Sequence, residues 1–284
     1  MRIHALETGH VSVKENQAVG KGPGRLRVAS TLLGRKWRRR LPILAWLIEH
    51  PEGLIVVDTG ETARASEAGY FPRWHPYYGL AVRMDVAPGE EIGPRIAALG
   101  FDPLDVKTVV LTHMHTDHAG GLAHFPSSEI LASTRELAGF EGRFAKLDGY
   151  LPHRAPEWFD PKPLELADGP LHGFTASQTI TSAGDVSVVE TTGHTPGHVS
   201  VIVTEDDGTQ IFLAGDTSYT EATMRSQQVD GVSPKAAAAR DTLKRIAAFC
   251  EAERVVYLPT HDPESVSRLE QRTPVGATTS LAAT

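Results

Sequence analysis

Apolar residues fall into short runs along this chain, and many of the runs end on a polar residue. Leu41 to Ile48 is apolar and β-rich, and Leu54-Ile55-Val56-Val57 runs into Asp58-Thr59-Gly60, which predicts a strand closed by a turn. Glu90 to Leu99 has helical spacing and stops at Gly100, and Val106 to Leu111 predicts a short buried strand. Ser187 to Glu190, Val199 to Thr204 and Ile211 to Leu213 predict further strands, with Glu205-Asp206-Asp207-Gly208 as the hairpin turn between the last two. Pro234 to Glu253 predicts an amphipathic helix whose apolar face holds Leu243, Ile246, Ala247 and Cys250. A final strand, Arg254 to Leu258, leads to His261, and 271–284 loses periodicity as a frayed tail does. Polar residues just past the ends of short apolar strands occupy the place where α/β architectures put their chemistry.

With 284 residues, 40% of them hydrophobic and 22% charged, the chain has ample material for a core and is expected to fold as one domain over 1–284. One cysteine, Cys250, excludes an internal disulfide and a cysteine-rich zinc knuckle, so any metal must rest on histidines and carboxylates. The amino-terminal residues carry no apolar leader, and no stretch approaches the ~18 uninterrupted apolar residues of a membrane span. A cytoplasmic protein without a membrane partner is expected. A net charge of −7 argues against a nucleic-acid partner, although Arg35-Lys36-Trp37-Arg38-Arg39-Arg40 is a dense basic run, read as a solvated loop or edge.

Candidate chemistry is concentrated in Thr112-His113-Met114-His115-Thr116-Asp117-His118-Ala119-Gly120-Gly121. Ligands at i and i+2 on an extended segment share a face and suit one ion, while Asp117 and His118 after the turn reach a second. Imidazole and carboxylate favour zinc and also admit Fe, Mn or Co. Downstream, Thr192-Gly193-His194-Thr195-Pro196-Gly197-His198, Leu213-Ala214-Gly215-Asp216 and Leu258-Pro259-Thr260-His261 again carry a β-run into a ligand type.

In this order, from about residue 40 to 262, the pattern H-x-H-x-D-H, G-H-T-P-G-H, Gly-Asp and a closing His resembles the metallo-β-lactamase superfamily. The resemblance implies an α/β fold, an αββα sandwich with a binuclear site on one edge. By carry-over, His113, His115 and His194 would hold one divalent cation and Asp117, His118 and His261 the other, with Asp216 bridging. His198 would be structural, and Asp58 would support the ligands from behind. Two such cations acidify a shared water, so hydrolysis through a metal-bridging hydroxide is the expected reaction. Asp216 stands where class B β-lactamases often have cysteine, which points away from β-lactams and towards ester, thioester, lactone or phosphodiester substrates.

A tyrosine three residues after the bridging aspartate, in Asp216-Thr217-Ser218-Tyr219-Thr220, resembles the N-acyl-homoserine lactone lactonases that quench quorum sensing. That resemblance implies that Tyr219 donates to the lactone carbonyl, and makes Asp117 and Tyr219 the candidate catalytic residues. The chain departs from that subfamily at the polar Thr116 and after Gly60, where Tyr70, Phe71, Trp74, Tyr77 and Tyr78 fall within nine positions. Such density predicts an apolar wall for an acyl chain or a homodimer contact. A glyoxalase II-like thioesterase would need a longer carboxy-terminal region, a nuclease an added basic module, and a non-catalytic metal sensor a degenerate ligand set.

Overall fold

The computed structural model describes residues 1–276. Alternation between buried and exposed positions sorts the strands into two sheets. The first is built from β1 (Arg2–Lys14), β2 (Trp37–His50), β3 (Gly53–Val57), β4 (Val82–Asp85), β5 (Val106–Val110), β6 (Glu129–Ser133) and β7 (Lys162–Leu164), in the order β4-β1-β2-β3-β5-β6-β7. Its β1, β2, β3 and β4 pair antiparallel, while β3, β5, β6 and β7 run parallel. The second contains β8 (Ser177–Thr179), β9 (Val186–Glu190), β10 (Val199–Thr204), β11 (Gln210–Gly215) and β12 (Val255–Pro259), in the order β12-β11-β10-β9-β8.

One face of each sheet meets the other. Leu44, Trp46, Ile48, Val57 and Val110 pack against Val188, Val201, Leu213 and Leu258, all essentially excluded from water, and this shared layer is the main core. The outer faces are covered by helices, as the period-3.6 stripes dictate. Ile92 and Ile96, from the helix Ile92–Ala98, cover Val56 and Val109. Leu243, Ile246 and Phe249, from the helix Ala236–Ala252, cover Phe212 and Tyr257, with Cys250 at the margin of that cluster. The result is an αββα sandwich. No helix among the described residues is long and apolar enough to cross a membrane.

Three features depart from the sequence pattern. The basic run is partly strand: Trp37 opens β2 opposite Lys14, and Arg38 pairs with Val13, while the aliphatic stems of Lys14 and Arg83 bring their cations over the Trp37 ring. β1 and the helix Arg25–Leu33 have no counterpart in the apolar pattern. Of the tail expected from 271, Gln271 closes the helix Ser265–Gln271 and Val275 N donates to the Val255 carbonyl. Residues 277–284 lie outside the described residues.

Candidate metal centre

Loops at the carboxyl ends of β3, β5, β9, β11 and β12 converge on one edge of the sandwich. After β5 the chain stays extended through His113 and His115, then turns into the helix Thr116–Ala119. Gly121, just past that helix, lets the chain pack closely on the turn after β3, because a Cβ there would lie 2.2 Å from the Thr59 carbonyl oxygen. At the end of β11, Gly215 adopts φ +56°, and its missing Cβ leaves room for His198 Nε2, which accepts from Asp216 N at 3.0 Å. His198 Nδ1 lies 2.9 Å from Thr191 Oγ1, so both ring nitrogens of His198 are used inside the protein, in line with a structural role.

The seven predicted ligand side chains come together. His115 Nδ1 lies 3.0 Å from His113 Nε2 and 3.1 Å from His194 Nε2. On the other side, His261 Nε2 is 3.4 Å from Asp117 Oδ2. Asp216 stands between the two groups, with Oδ2 3.5 Å from His194 Nε2 and Oδ1 3.3 and 3.4 Å from His118 Nε2 and His261 Nε2. Within these residues, His113/His115/His194, His113/His118/Asp216 and Asp117/His118/His261 each bring three ligand atoms within 4.8 Å of one another.

Each of the five histidines is held by its other nitrogen. His113 Nδ1 meets Thr112 Oγ1 at 3.2 Å, His115 Nε2 the Asp148 carbonyl at 3.1 Å, and His118 Nδ1 the Asp58 carboxylate at 2.8 Å. His194 Nδ1 meets Asp230 at 3.3 Å and His261 Nδ1 the Pro42 carbonyl at 2.8 Å. Such partners fix ring orientation and tautomer and leave the inner nitrogens to a cation. His118 Nε2 and Asp216 Oδ1 face each other without hydrogen-bond geometry, and both are buried with no hydrogen-bond partner among the described residues. Orphaned atoms at the point where ligands converge fit a cation site, since buried polar atoms are otherwise paired.

Electrostatics agree with that fit. Burial and then the neighbouring His194 push His115 down to about 4, and burial with the surrounding imidazoles holds His113 well below its ordinary range. Both rings are therefore neutral at pH 7, the form that can bind a cation. Burial opposes charge on His261 and on Asp117, but Asp216 and Asp117 raise His261 to about 10, and the His261 hydrogen bond holds Asp117 at about 2. Two carboxylates embedded among imidazoles attract positive charge, and a bound cation would displace the protons.

Several residues of the site carry no motif. Glu136 is buried and accepts from Met114 N at 2.9 Å and Thr195 Oγ1 at 2.7 Å, clamping the two histidine loops together. Asp230 also accepts from Val232 N and Ser233 N, so the carboxylate behind His194 is itself held by backbone. Above these histidines and aspartates opens a cavity of about 370 Å³, walled by Val11, Val13, Val28, Met84, Tyr77 and Tyr78. Tyr219 lines it too, its ring stacked on His261 at 5.6 Å. Of the aromatic segment, Tyr77 and Tyr78 reach the cavity, Phe71 stacks behind Tyr78 at 4.4 Å, Tyr70 is buried beneath, and Trp74 is exposed.

The comparisons with known proteins agree with this architecture. The N-acyl homoserine lactonase AttM of Azorhizobium caulinodans is 26% identical over 280 residues, 93% of this chain and 94% of that one. AiiB of Agrobacterium fabrum, also named an N-acyl homoserine lactonase, is 25% identical over 281 residues, covering 96% and 97%. Among solved structures, an N-acyl homoserine lactone hydrolase with the product N-hexanoyl-L-homoserine at its metal centre superposes with TM-score 0.72 at 21% identity, over 93% of this chain and 94% of that one. Residues 38–261 match the metallo-beta-lactamase superfamily, and with the sandwich and the convergent His and Asp side chains on its edge, the chain belongs to that superfamily.

Proposed function

We propose that the protein is a binuclear metal-dependent hydrolase that opens the lactone ring of N-acyl-homoserine lactones. The observation that carries the reading is the placement of Asp216 between two histidine groups, with the Tyr219 phenol in the same cavity. His113, His115 and His194 would hold one cation, Asp117, His118 and His261 the other, and Asp216 both. Two divalent cations, zinc in this reading, supply an acidified water and a positive charge for a carbonyl oxygen. The remaining chemistry belongs to the chain. Tyr219 donates its O–H to the ring carbonyl oxygen as negative charge grows there. Asp117, which lines the cavity, takes the proton lost by the attacking water and returns it to the leaving ring oxygen. The valines and Met84 exclude water and accommodate an acyl chain.

The names of AttM and AiiB support the substrate class, and a cavity with an apolar wall over a polar floor supports an amphiphilic small molecule. We also propose that the chain works as one domain, since both sheets share a core and contribute to one site, and that it acts in the cytoplasm. Metal analysis of the reconstituted protein, followed by a pH-drop assay on acyl-homoserine lactones, simple esters, thioesters and phosphodiesters, tests the reading. Two metal ions per chain and preference for the lactones are expected. Preference for a thioester or phosphodiester, or no more than one tightly held ion, overturns it.

A further inference from the structure

Above the metal ligands, one amide organises two phenols. Gln17, just beyond β1, is buried, and its Nε2 lies 2.7 Å from Tyr77 Oη and 2.8 Å from Tyr219 Oη, donating to both. Each phenol oxygen thereby spends a lone pair on the amide and keeps its own hydrogen. Neither hydrogen has an acceptor among the described residues, and both tyrosines line the cavity. Gln17 Oε1 is buried without a partner. One amide nitrogen shared by two phenols sets both hydroxyls side by side at the cavity wall.

Because both phenol oxygens sit on one nitrogen, they lie no more than about 5.5 Å apart. An N-acyl-homoserine lactone carries two carbonyl oxygens at a comparable spacing: standard bond lengths place the ring carbonyl and the amide carbonyl oxygens about 3–5 Å apart. Resting on the lactonase reading, we propose that Gln17 is a positioning residue for two donors and that Tyr77 determines specificity, its O–H donating to the amide carbonyl while Tyr219 serves the ring carbonyl. The site then selects lactones bearing an α-acylamino group over bare lactone rings. This also accounts for the place of Tyr77, on the short helix Pro76–Leu80 and 142 positions from Tyr219 in sequence, at the same amide as Tyr219.

The test compares N-hexanoyl-homoserine lactone with γ-butyrolactone, the same ring without the amide, in the metal-loaded full chain. Tyr77→Phe is expected to lower kcat/KM about 10-fold more on the acylated lactone than on the bare ring, chiefly through KM. Tyr219→Phe should lower both substrates alike, through kcat. Gln17→Met should cost both reactions, and its cost should vanish in a Tyr77→Phe/Tyr219→Phe background, as a residue acting only through those phenols requires. Melting temperature and binding of the non-hydrolysable N-hexanoyl-homoserine lactam, read by calorimetry, separate a folding defect from lost recognition. Equal loss on both substrates in Tyr77→Phe, or a Gln17→Met cost that persists without the phenols, overturns the proposal. A wild-type chain that opens neither ring brings down the lactonase reading first and the inference with it, an outcome seen before any variant is made.

Discussion

The floor and the wall of the cavity are built on different plans. On the floor, every histidine is pinned from behind by its own carboxylate, carbonyl or hydroxyl, one support to each ring. The wall is assembled from distant segments, Gln17, Val28, Tyr77, Tyr78 and Tyr219, and two of its phenols, Tyr77 and Tyr219, share a single amide, while Tyr78 donates to the Gly149 carbonyl. A floor of this kind preorganises charge and tolerates little change. A wall of this kind sets which molecule fits and can be altered while the chemistry survives.

The largest test of that division is Asp216→Ala. Removing the group that faces both histidine sets leaves two cations at short range without a shared anion. Metal content should fall to one ion or fewer per chain, with turnover down by on the order of 1,000-fold or more. Elemental analysis alongside kinetics checks both. Wall variants should keep both ions, and a wall variant that sheds metal would erase the distinction.

Asp230→Ala probes the support of the floor. It leaves His194 present but frees its ring, so metal affinity should drop about 10–100-fold while the fold persists. Competition with a chelator measures it. If affinity is unchanged, the 3.3 Å contact to His194 is incidental.

Asp230 also shows where the sequence stops being informative. Asp58 stands in an Asp-Thr-Gly turn that resembles the superfamily's early acidic motif, a resemblance that implied its place behind the ligands, and it does lie 2.8 Å from His118. Asp230 sits in Gln228-Val229-Asp230-Gly231-Val232, where nothing in spacing or residue type marks it. His113 to His118 are legible because metal chemistry demands particular side chains at short separations, and His194, Asp216 and His261 because their order resembles the superfamily's. Gln17 and Tyr219 are 202 positions apart, and glutamine and tyrosine have many ordinary uses, so only folding reveals their meeting. β1 was illegible for a related reason: His4, Glu7, Thr8 and His10 interrupt its apolar positions, although Thr8 is buried and donates to the Ile43 carbonyl. The helix Arg25–Leu33 was hidden because Leu26, Val28 and Leu33 face outwards.

Tyr219→Phe stands at the border between the two regions, since the ring stacks on a floor histidine and the hydroxyl belongs to the wall. Metal content and melting temperature should hold, and turnover on lactones should fall about 10–100-fold, less than for a sole oxyanion donor because two cations polarise the same carbonyl. Unchanged lactone kinetics with a lowered melting temperature would return Tyr219 to packing.

The smallest effect should come from the rim of the wall, and it is the most specific to substrate. The aromatic segment Tyr70 to Tyr78 was expected to form an apolar wall for an acyl chain or a dimer contact, yet only its carboxyl end lines the cavity, and Trp74 stands 59% exposed outside it. Val28 and Leu147 both line the cavity and are 41% and 58% exposed, which places them at its mouth. A short acyl chain ends before that rim, whereas a long one lies across it and removes both side chains from water. Val28→Ala and Leu147→Ala should therefore cost about 0.5–1.5 kcal/mol on long-chain lactones, a 2- to 10-fold loss in kcat/KM carried by KM, and little on short ones. Phe71→Ala should act at second hand, by releasing Tyr78 from its 4.4 Å stack, and so affect both lengths. Trp74→Ala should do least. A chain-length series on these four variants orders the wall from inside to outside; equal losses at every length for Val28 and Leu147 would make the rim structural, and a dominant effect of Trp74 would show that the chain leaves the cavity over the aromatic segment instead.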